Sequence, residues 1–221
     1  MNRRLTVAMD GPAGSGKSTV ARRVAEKLGY LYLNSGAMYR AMTLLAIREG
    51  VSPTNVEELA KLAQSCRIDF ADNGQTTLLN GENVSEQIWT LEVEQIVSDI
   101  SKIAEVRPAI VNQQRRIGNK GEIIAEGRDV TTVVFPNADL KFYLDASVDE
   151  RAKRRFAESK AKGIDCTLEQ IKEDSRIRDE KDRSREHSPL QKAKDAIVVD
   201  TTDRTIDQVV DLITQQIISL Q

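Results

Sequence analysis

The sequence predicts an α/β fold in which a parallel β-sheet is flanked by helices. The first observation behind this prediction is a strand–loop–helix–strand order over residues 5–33, which is typical of a βαβ crossover. The second is a set of short apolar runs farther along the chain, which suit strands buried on both faces of a sheet. The third is helical spacing in the segments between those runs.

The crossover begins with a β-rich run at residues 5–9 and a glycine-rich loop at residues 11–16. Residues 19–28 carry apolar side chains at helical spacing, and Gly29 is suited to end that helix. Residues 30–33 form the second strand. Three further strands are predicted at residues 122–125, 140–144 and 196–199. Further helices are predicted at about residues 54–65, 90–117, 149–161, 167–180 and 205–219.

Residues 67–89 interrupt this alternation of strands and helices. Two runs, 67–70 and 77–80, flank Asn73-Gly74, a dipeptide that favours a hairpin turn. We therefore expect a small antiparallel element inserted into a single α/β domain. Trp89 is expected to pack this insert against the core.

Composition limits the functional classes. The 221 residues carry 32 basic and 34 acidic side chains, so the nearly neutral chain gives no overall electrostatic argument for binding nucleic acid or a membrane surface. No apolar run approaches a bilayer span, and the two cysteines lack the spacing of a disulfide framework or a zinc site. We expect a soluble chain in a reducing cytoplasm.

The glycine-rich loop matches a phosphate-binding motif in full, because residues 11–18 fit Gly-x(4)-Gly-Lys-Ser/Thr between a predicted strand and a predicted helix. Backbone N–H groups of such a P-loop converge on phosphate oxygens at the positive end of a helix. Lys17 is placed to reach the β- and γ-phosphates of a nucleoside triphosphate, and Ser18 to offer a hydroxyl to Mg²⁺. A chance glycine-rich turn would explain the glycines but not the Lys-Ser pair. The predicted contacts of this loop are Gly11, Pro12, Ala13, Gly14, Ser15, Gly16, Lys17, Ser18 and Thr19.

Two observations favour a phosphotransferase over a GTPase. A GTPase needs an Asn-Lys-x-Asp motif, whereas the nearest string, residues 119–122, ends in Glu and directly precedes a predicted strand. A kinase needs cations around the transferred phosphoryl group and segments that exclude water. The arginine-rich stretch 176–185 meets that need in the context of the P-loop. Taken alone, it also fits a solvated helix face with i,i+4 ion pairs.

Four further strings carry a family likeness that runs nearly from end to end. They are Ser35-Gly-Ala-Met-Tyr-Arg40, Glu126-Gly-Arg-Asp-Val-Thr-Thr-Val-Val-Phe-Pro136, Phe142-Tyr-Leu-Asp-Ala146 and the stretch from Arg178 to Arg185. Together with the P-loop, they make the chain resemble the bacterial cytidylate kinases, a branch of the nucleoside monophosphate (NMP) kinases.

The resemblance implies a P-loop kinase core with a five-stranded parallel sheet, an NMP-binding region and a helical lid. The implied division is core at residues 1–34, 108–150 and 186–221, NMP-binding region at residues 35–107 and lid at residues 151–185. The hairpin would then be the insert that distinguishes the bacterial branch.

The resemblance also implies transfer of the γ-phosphoryl group of ATP, bound with Mg²⁺, to CMP or dCMP. The implied acceptor contacts are Ser35, Arg40, Ser98, Arg107, Arg128, Asp129, Asp182 and Arg185. The implied catalytic cations are Lys17, Arg128, Arg178 and Arg185, while Arg151 and Arg155 would flank the adenine or the phosphates of ATP. Asp129 would accept a hydrogen bond from the cytosine amino group and Arg107 would donate to N3 or O2, so uracil would leave a buried mismatch.

Plainer interpretations stay open for single residues, such as a surface position for Ser98 or an N-cap for Asp129. The alternative functions are a kinase for UMP or AMP, a kinase for a non-nucleotide acceptor such as shikimate, and a nucleotide-binding regulatory module without turnover. Small-molecule substrates are the only expected partners, with no nucleic acid and no membrane, and the resemblance implies a monomer.

Overall fold

A five-stranded parallel β-sheet forms the centre of the protein, with the strand order β2-β6-β1-β7-β8. The computed structural model describes residues 4–161 and 163–221, so residues 1–3 of the predicted core and residue 162 of the predicted lid lie outside the described part. The strands, in chain order, are β1 Thr6–Asp10, β2 Leu31–Asn34, β3 Ile68–Ala71, β4 Thr76–Leu79, β5 Glu82–Asn83, β6 Ile123–Gly127, β7 Leu140–Asp145 and β8 Ile197–Asp200. All five strands predicted for the large sheet are confirmed, each to within two residues.

Eight α-helices are found in the part of the chain that the structure describes. They are α1 Lys17–Leu28, α2 Ser35–Arg48, α3 Val56–Ser65, α4 Leu91–Ser101, α5 Arg107–Gly118, α6 Val148–Ala161, α7 Leu168–Arg183 and α8 Ile206–Ile218. The sequence analysis did not predict α2, because its side chains are buried nearly all round and leave no polar face. The single helix predicted over residues 90–117 is wrong. The chain breaks at residues 102–106, and Pro108 starts a new helix where its missing N–H is not needed.

Helices cover both faces of the large sheet, which explains why its strands are apolar runs rather than alternating ones. On one face α1 and α8 pack Val24 and Ile213 against Phe142. On the other face α2 contributes Met38 and Met42 to a core shared with α3, α4 and α5. The second face is the larger core, and it continues beneath the insert.

The insert is a three-stranded antiparallel sheet, β3-β4-β5, as the hairpin signal predicts. It docks on α5, where Gln113 accepts from the Ile68 N–H (2.7 Å) and donates to the Cys66 carbonyl (3.1 Å). It also docks on β2 through Gly74, whose backbone has a φ of 97°. A Cβ at Gly74 would lie 1.9 Å from the Tyr32 carbonyl oxygen, so only glycine fits this contact.

Replacing Gly74 by alanine is expected to destabilise the fold by about 2–4 kcal/mol, because the methyl group adds a backbone clash to a left-handed conformation. Gly81→Ala is the matched control: its φ is 88°, but no atom lies within 4 Å of the added Cβ, so about 1 kcal/mol is expected. Urea unfolding of both variants measures the difference. Equal midpoints for the two variants would contradict the close contact with Tyr32.

The loops that follow β1 and β6 bring the predicted site residues to one edge of the large sheet. The P-loop leaves the carboxyl end of the central strand β1, and residues 127–129 leave the carboxyl end of its neighbour β6. In open α/β sheets, ligands bind in the crevice outside these carboxyl ends. Over residues 4–161 and 163–221, none of the helices combines the length and apolar character that a bilayer span requires.

Candidate active site

The P-loop presents the start of α1 to an anion. Gly16, the residue before the helix, has a left-handed φ of 83°, and the helix has no side-chain cap. The N–H groups of the first turn therefore lack an internal acceptor, and the helix dipole adds positive potential at the same place. This arrangement is suited to phosphate oxygens.

Lys17 is buried in this loop, and its Nζ donates to the Pro12 carbonyl oxygen (3.2 Å). The pKa of Lys17 is lowered to about 7, mainly by burial and also by the nearby Arg128 and Arg178, against the opposing effect of Glu126. A polyphosphate beside Lys17 would supply negative charge where the free protein has an excess of cations. The surroundings of Lys17 are therefore those of an anion-binding site.

Ser18 contacts an acidic residue for which the sequence analysis assigned no role. Its hydroxyl donates to Glu126 Oε1 (2.9 Å), and the Tyr32 hydroxyl donates to the same oxygen (3.2 Å). Glu126 is buried near the end of β6, so a carboxylate at the end of a strand beside the P-loop strand is the signal that could have found it. A hydroxyl backed by a carboxylate is a hard oxygen donor set, which fits Mg²⁺ carried by phosphates.

Asp10 fixes the chain that carries the predicted acceptor residues Arg128 and Asp129. It is fully buried at the end of β1 and accepts from the Val130 N–H (2.9 Å), the Thr131 N–H (2.8 Å) and the Thr131 hydroxyl (2.5 Å). Burial raises its pKa to about 6 despite these hydrogen bonds. Asp10 thereby holds the short turn Val130–Val134, and with it the two preceding residues, at the P-loop.

The two predicted base readers contact each other. Arg107 and Asp129 form a buried ion pair, and Arg107 also donates to the Ser101 carbonyl (2.8 Å) and to Ser188 Oγ (3.1 Å). The structure thus brings together residues from α5 and from the segment after β6. Ser98, the third predicted base contact, lies exposed on α4, and the Ser101 hydroxyl donates to its carbonyl oxygen (3.2 Å).

Ser35 and Tyr39 lie next to these predicted acceptor residues. Ser35 is buried at the start of α2, and a Cβ at Gly127 would lie 2.2 Å from its Oγ, so the missing side chain at Gly127 lets this hydroxyl approach the backbone just before Arg128. Tyr39 lies under the Arg107 guanidinium, 5.3 Å from ring centroid to Cζ, and its buried hydroxyl has no hydrogen-bond partner within the described residues. Burial raises the pKa of Tyr39. The sequence analysis assigned no role to Tyr39.

The remaining predicted arginines converge between the P-loop and α7. Asp182 accepts from Arg128 Nε (2.9 Å) and Arg185 Nη2 (2.5 Å), and these cations hold its pKa low against the effect of burial. The pKa of Arg178 is lowered to about 10, mainly by burial and also by three neighbouring cations, against the opposing effect of Asp182. Those cations are Arg128, Arg155 and Arg40. Arginines from four elements therefore face one space with too few carboxylates to neutralise them.

The two arginines predicted to flank ATP have different surroundings. Arg155 donates to Ser175 Oγ (3.0 Å) on α7. Arg151 is fully buried and engages the Ala13 carbonyl (3.2 Å), the Ala146 carbonyl (3.0 Å) and Asp179 (2.7 Å). Its guanidinium supports the P-loop from behind rather than facing open space. The direct contact from Arg151 to ATP stays a prediction, and in this structure the guanidinium of Arg151 binds these protein partners.

Arg154, which the sequence analysis did not single out, lies beside the loop instead. It donates to the Thr201 carbonyl (2.7 Å) and Thr201 Oγ1 (3.0 Å) and approaches the Gly14 carbonyl at 3.5 Å. Charged side chains occupy eight of the fourteen positions of α6. Which of these charges faces the loop depends on how α6 packs, so spacing alone could not select Arg154.

The fold and the site together define a P-loop kinase of small molecules. A gluconokinase from Sinorhizobium meliloti 1021 superposes with a TM-score of 0.51 over 100% of this chain and 95% of its own, at 13% identity, which supports the fold alone. An uncharacterized protein from Eubacterium ventriosum ATCC 27560 gives the same TM-score at 14% identity, over 97% of this chain and 99% of its own.

Sequence comparison then identifies the family. The cytidylate kinase family model matches residues 7–219. The cytidylate kinase of Clostridioides difficile (strain 630) is 46% identical over 213 residues, 96% of this chain and 98% of its own. That of Bacillus subtilis (strain 168) is 45% identical over 219 residues, 98% of each chain. The chain belongs to the cytidylate kinase family, and the predicted family, fold class and enzyme class are confirmed.

Proposed function

We propose that this protein transfers the γ-phosphoryl group of ATP to CMP or dCMP, giving ADP and CDP or dCDP. The observation that carries the proposal is the convergence of Lys17, Arg128, Arg178 and Arg40 on one space beside a P-loop. Two phosphorylated substrates that meet end to end would supply the negative charge that this space lacks. Membership of the cytidylate kinase family supports cytidine nucleotides as the acceptor.

Each side of the site then holds one substrate. The P-loop amides and Lys17 hold the β- and γ-phosphates of ATP. Arg40 and Arg128 hold the phosphate of the acceptor, beside Ser35, while Asp129 and Arg107 read the base. No general base is required, because the attacking phosphate oxygen of CMP already carries a negative charge. Catalysis consists of positioning and of cationic stabilisation of the moving phosphoryl group.

The lid residues act from α7 and the segment after it. Arg178 and Arg185 face the transferred group, and Asp182 orients Arg128 and Arg185 through its two oxygens. We propose that residues 151–185 close over ATP and residues 35–107 over the acceptor, which excludes water and so prevents hydrolysis of ATP. Ser18 and the phosphate oxygens would hold Mg²⁺, with Glu126 behind the Ser18 hydroxyl. The ion would neutralise charge on the β- and γ-phosphates.

A coupled ADP-release assay tests the proposal directly. With MgATP, the enzyme is offered CMP, dCMP, UMP, AMP, shikimate or no acceptor in parallel, with a chelator added in a matched series. Fast turnover is expected with CMP and dCMP, slow turnover without an acceptor, and loss of turnover with the chelator. Preference for AMP or shikimate would refute the acceptor assignment. ATP binding without turnover on any acceptor would indicate a regulatory module.

We also propose a cytoplasmic monomer whose partners are these small molecules alone. The two cysteines, Cys66 and Cys166, are both free, which suits a reducing compartment. The nearly neutral net charge supports neither nucleic-acid nor membrane binding. Light scattering of the purified chain tests the monomer, for which a molecular mass near 24.6 kDa is expected.

A further inference from the structure

The only tryptophan of the chain, Trp89, lies in an unusual position for a large aromatic side chain. It ends the short turn Gln87–Trp89 between the insert and α4, and 52% of its surface is exposed. The sequence analysis predicted that Trp89 packs the insert against the core. A side chain that is half exposed does not have that role. Its ring instead faces the Arg40 guanidinium, with 4.4 Å between Arg40 Cζ and the ring centroid. This distance is that of a cation–π contact.

Arg40 has two further contacts, and both are weak. Its Nη1 donates to the Ile88 carbonyl at 3.4 Å, and its Nη2 lies 3.8 Å from Glu94 Oε1. The residue is buried (8% exposed), burial lowers its pKa, and Glu94 opposes that effect. All three partners of Arg40 come from one short stretch, residues 88–94. That stretch therefore determines where the guanidinium sits.

The contact with Trp89 can hold Arg40 in place while its N–H donors stay available to a phosphate. The face of the Trp89 ring attracts the positive charge through its quadrupole and offers no lone pair, so this contact does not require an N–H donor of the guanidinium. Trp89 thus restrains Arg40 while leaving its in-plane donors to the two long contacts. Those contacts are weaker than a charge-assisted hydrogen bond to a phosphate oxygen, so a phosphate can replace them.

We infer that Trp89 is a positioning residue for the acceptor phosphate, and that Glu94 occupies the place of that phosphate until the acceptor binds. This inference rests on the proposed function, in which Arg40 binds the phosphate of CMP. Trp89 acts through Arg40 and does not itself touch the reacting atoms. Glu94 competes with the phosphate for the same guanidinium, so the two residues are expected to affect the KM for CMP in opposite directions.

The first test compares Trp89→Leu with Trp89→Phe in steady-state kinetics. Trp89→Leu keeps an apolar side chain but removes the ring, and the KM for CMP is expected to rise about 5- to 20-fold, with kcat changed less than about twofold. The KM for ATP is expected to stay constant, because the P-loop is not affected. Trp89→Phe retains a ring face and is expected to stay within about threefold of the native KM for CMP.

The second test is Glu94→Gln, which removes the competing charge and keeps the shape of the side chain. The KM for CMP is expected to fall about two- to fivefold at low ionic strength, with a smaller change at high salt, because the side chain of Glu94 is half exposed. Leu91→Ala is the control on the same stretch, since Leu91 is 70% exposed. It is expected to leave all kinetic constants unchanged.

The outcomes separate this inference from the proposed function. Absence of CMP phosphorylation by the native enzyme would refute the proposed function. Normal CMP phosphorylation with the same KM for CMP in native enzyme and Trp89→Leu would refute the role of Trp89 alone. A higher KM in Glu94→Gln, or equal defects in Trp89→Leu and Trp89→Phe, would also overturn it, because the stretch would then have only a structural role. Thermal unfolding of every variant shows whether a kinetic change comes from lost folding.

Discussion

Replacing Lys17 by methionine is expected to lower kcat for the phosphorylation of CMP by about 10³-fold, because a cation that stabilises the transferred phosphoryl group is removed. Methionine keeps most of the length of the side chain, and only the contact from Nζ to the Pro12 carbonyl is lost. Steady-state kinetics with saturating MgATP and CMP measures the loss. Near-native turnover of Lys17→Met would show that the reaction does not need the Lys17 ammonium group.

The stability of the same variant distinguishes a chemical defect from unfolding. Lys17 has a pKa of about 7 in the folded protein, below the 10.5 of an unperturbed lysine, so the unfolded chain binds this proton more tightly. This group therefore makes the stability of the native protein rise as the pH increases from about 7 to 10.5. The rise should be absent in Lys17→Met, whose melting temperature at pH 7 is expected not to be lower.

Lys27→Met is the matched control for this experiment. Lys27 lies on the same helix and forms an exposed ion pair with Asp211 (2.7 Å). Exposed pairs of this kind contribute little to stability, so neither turnover nor the melting temperature should change appreciably. A large drop in turnover for both variants would mean that general damage to α1, rather than loss of a cation at the phosphates, causes the effect.

Replacing Asp129 by asparagine is expected to lower the preference for CMP over UMP by about 100-fold in kcat/KM. In the proposed site, the carboxylate would accept from the amino group of cytosine but would meet an acceptor, O4, in uracil. An asparagine amide has a donor to offer to O4, so the penalty against UMP is relieved while the contact with CMP is weakened. Competition between the two acceptors in one reaction measures the ratio directly.

Asp129 also forms a buried ion pair with Arg107, so the Asp129→Asn variant needs controls for stability and for the loss of a carboxylate. Removing the carboxylate leaves a buried guanidinium with its contacts to Ser101 and Ser188, so some loss of stability is expected. The affinity for ATP should stay within about twofold, because the proposed role of Asp129 is on the acceptor side. Asp69→Asn removes a carboxylate that binds Arg116 outside the site (2.7 Å) and should leave the selectivity unchanged. An unchanged CMP-to-UMP ratio in Asp129→Asn would refute the base-reading role.

Local patterns predicted the elements that have a strong one-dimensional signature. The five strands of the large sheet are short apolar runs, and the P-loop needs particular residues at particular places, so both could be identified without tertiary information. Elements without such a signature were missed or misjudged. Helix α2 is buried all round and has no periodic pattern, and the break between α4 and α5 lies inside a stretch whose pattern reads as one continuous helix.

The site residues also divide into those that the sequence analysis selected and those that it missed. The family resemblance selected Arg40, Arg128 and Arg178, and the structure brings them to one space. It also selected Arg151, which the structure buries behind the P-loop on Asp179, while Arg154 of the same helix reaches the loop. Helical spacing gives the angle between side chains, but the face that meets the site depends on how α6 packs against α7 and the P-loop.

The sequence by itself determined the order of the strands along the chain, the phosphate-binding loop, the insert and the family. Only the tertiary structure decided how the charges pair. Arg107 with Asp129, Arg128 with Asp182 and Arg151 with Asp179 join segments 22, 54 and 28 residues apart. The physical reason is that a charge in the sequence has many possible partners, and only packing decides which partner is near enough, and buried enough, to be effective.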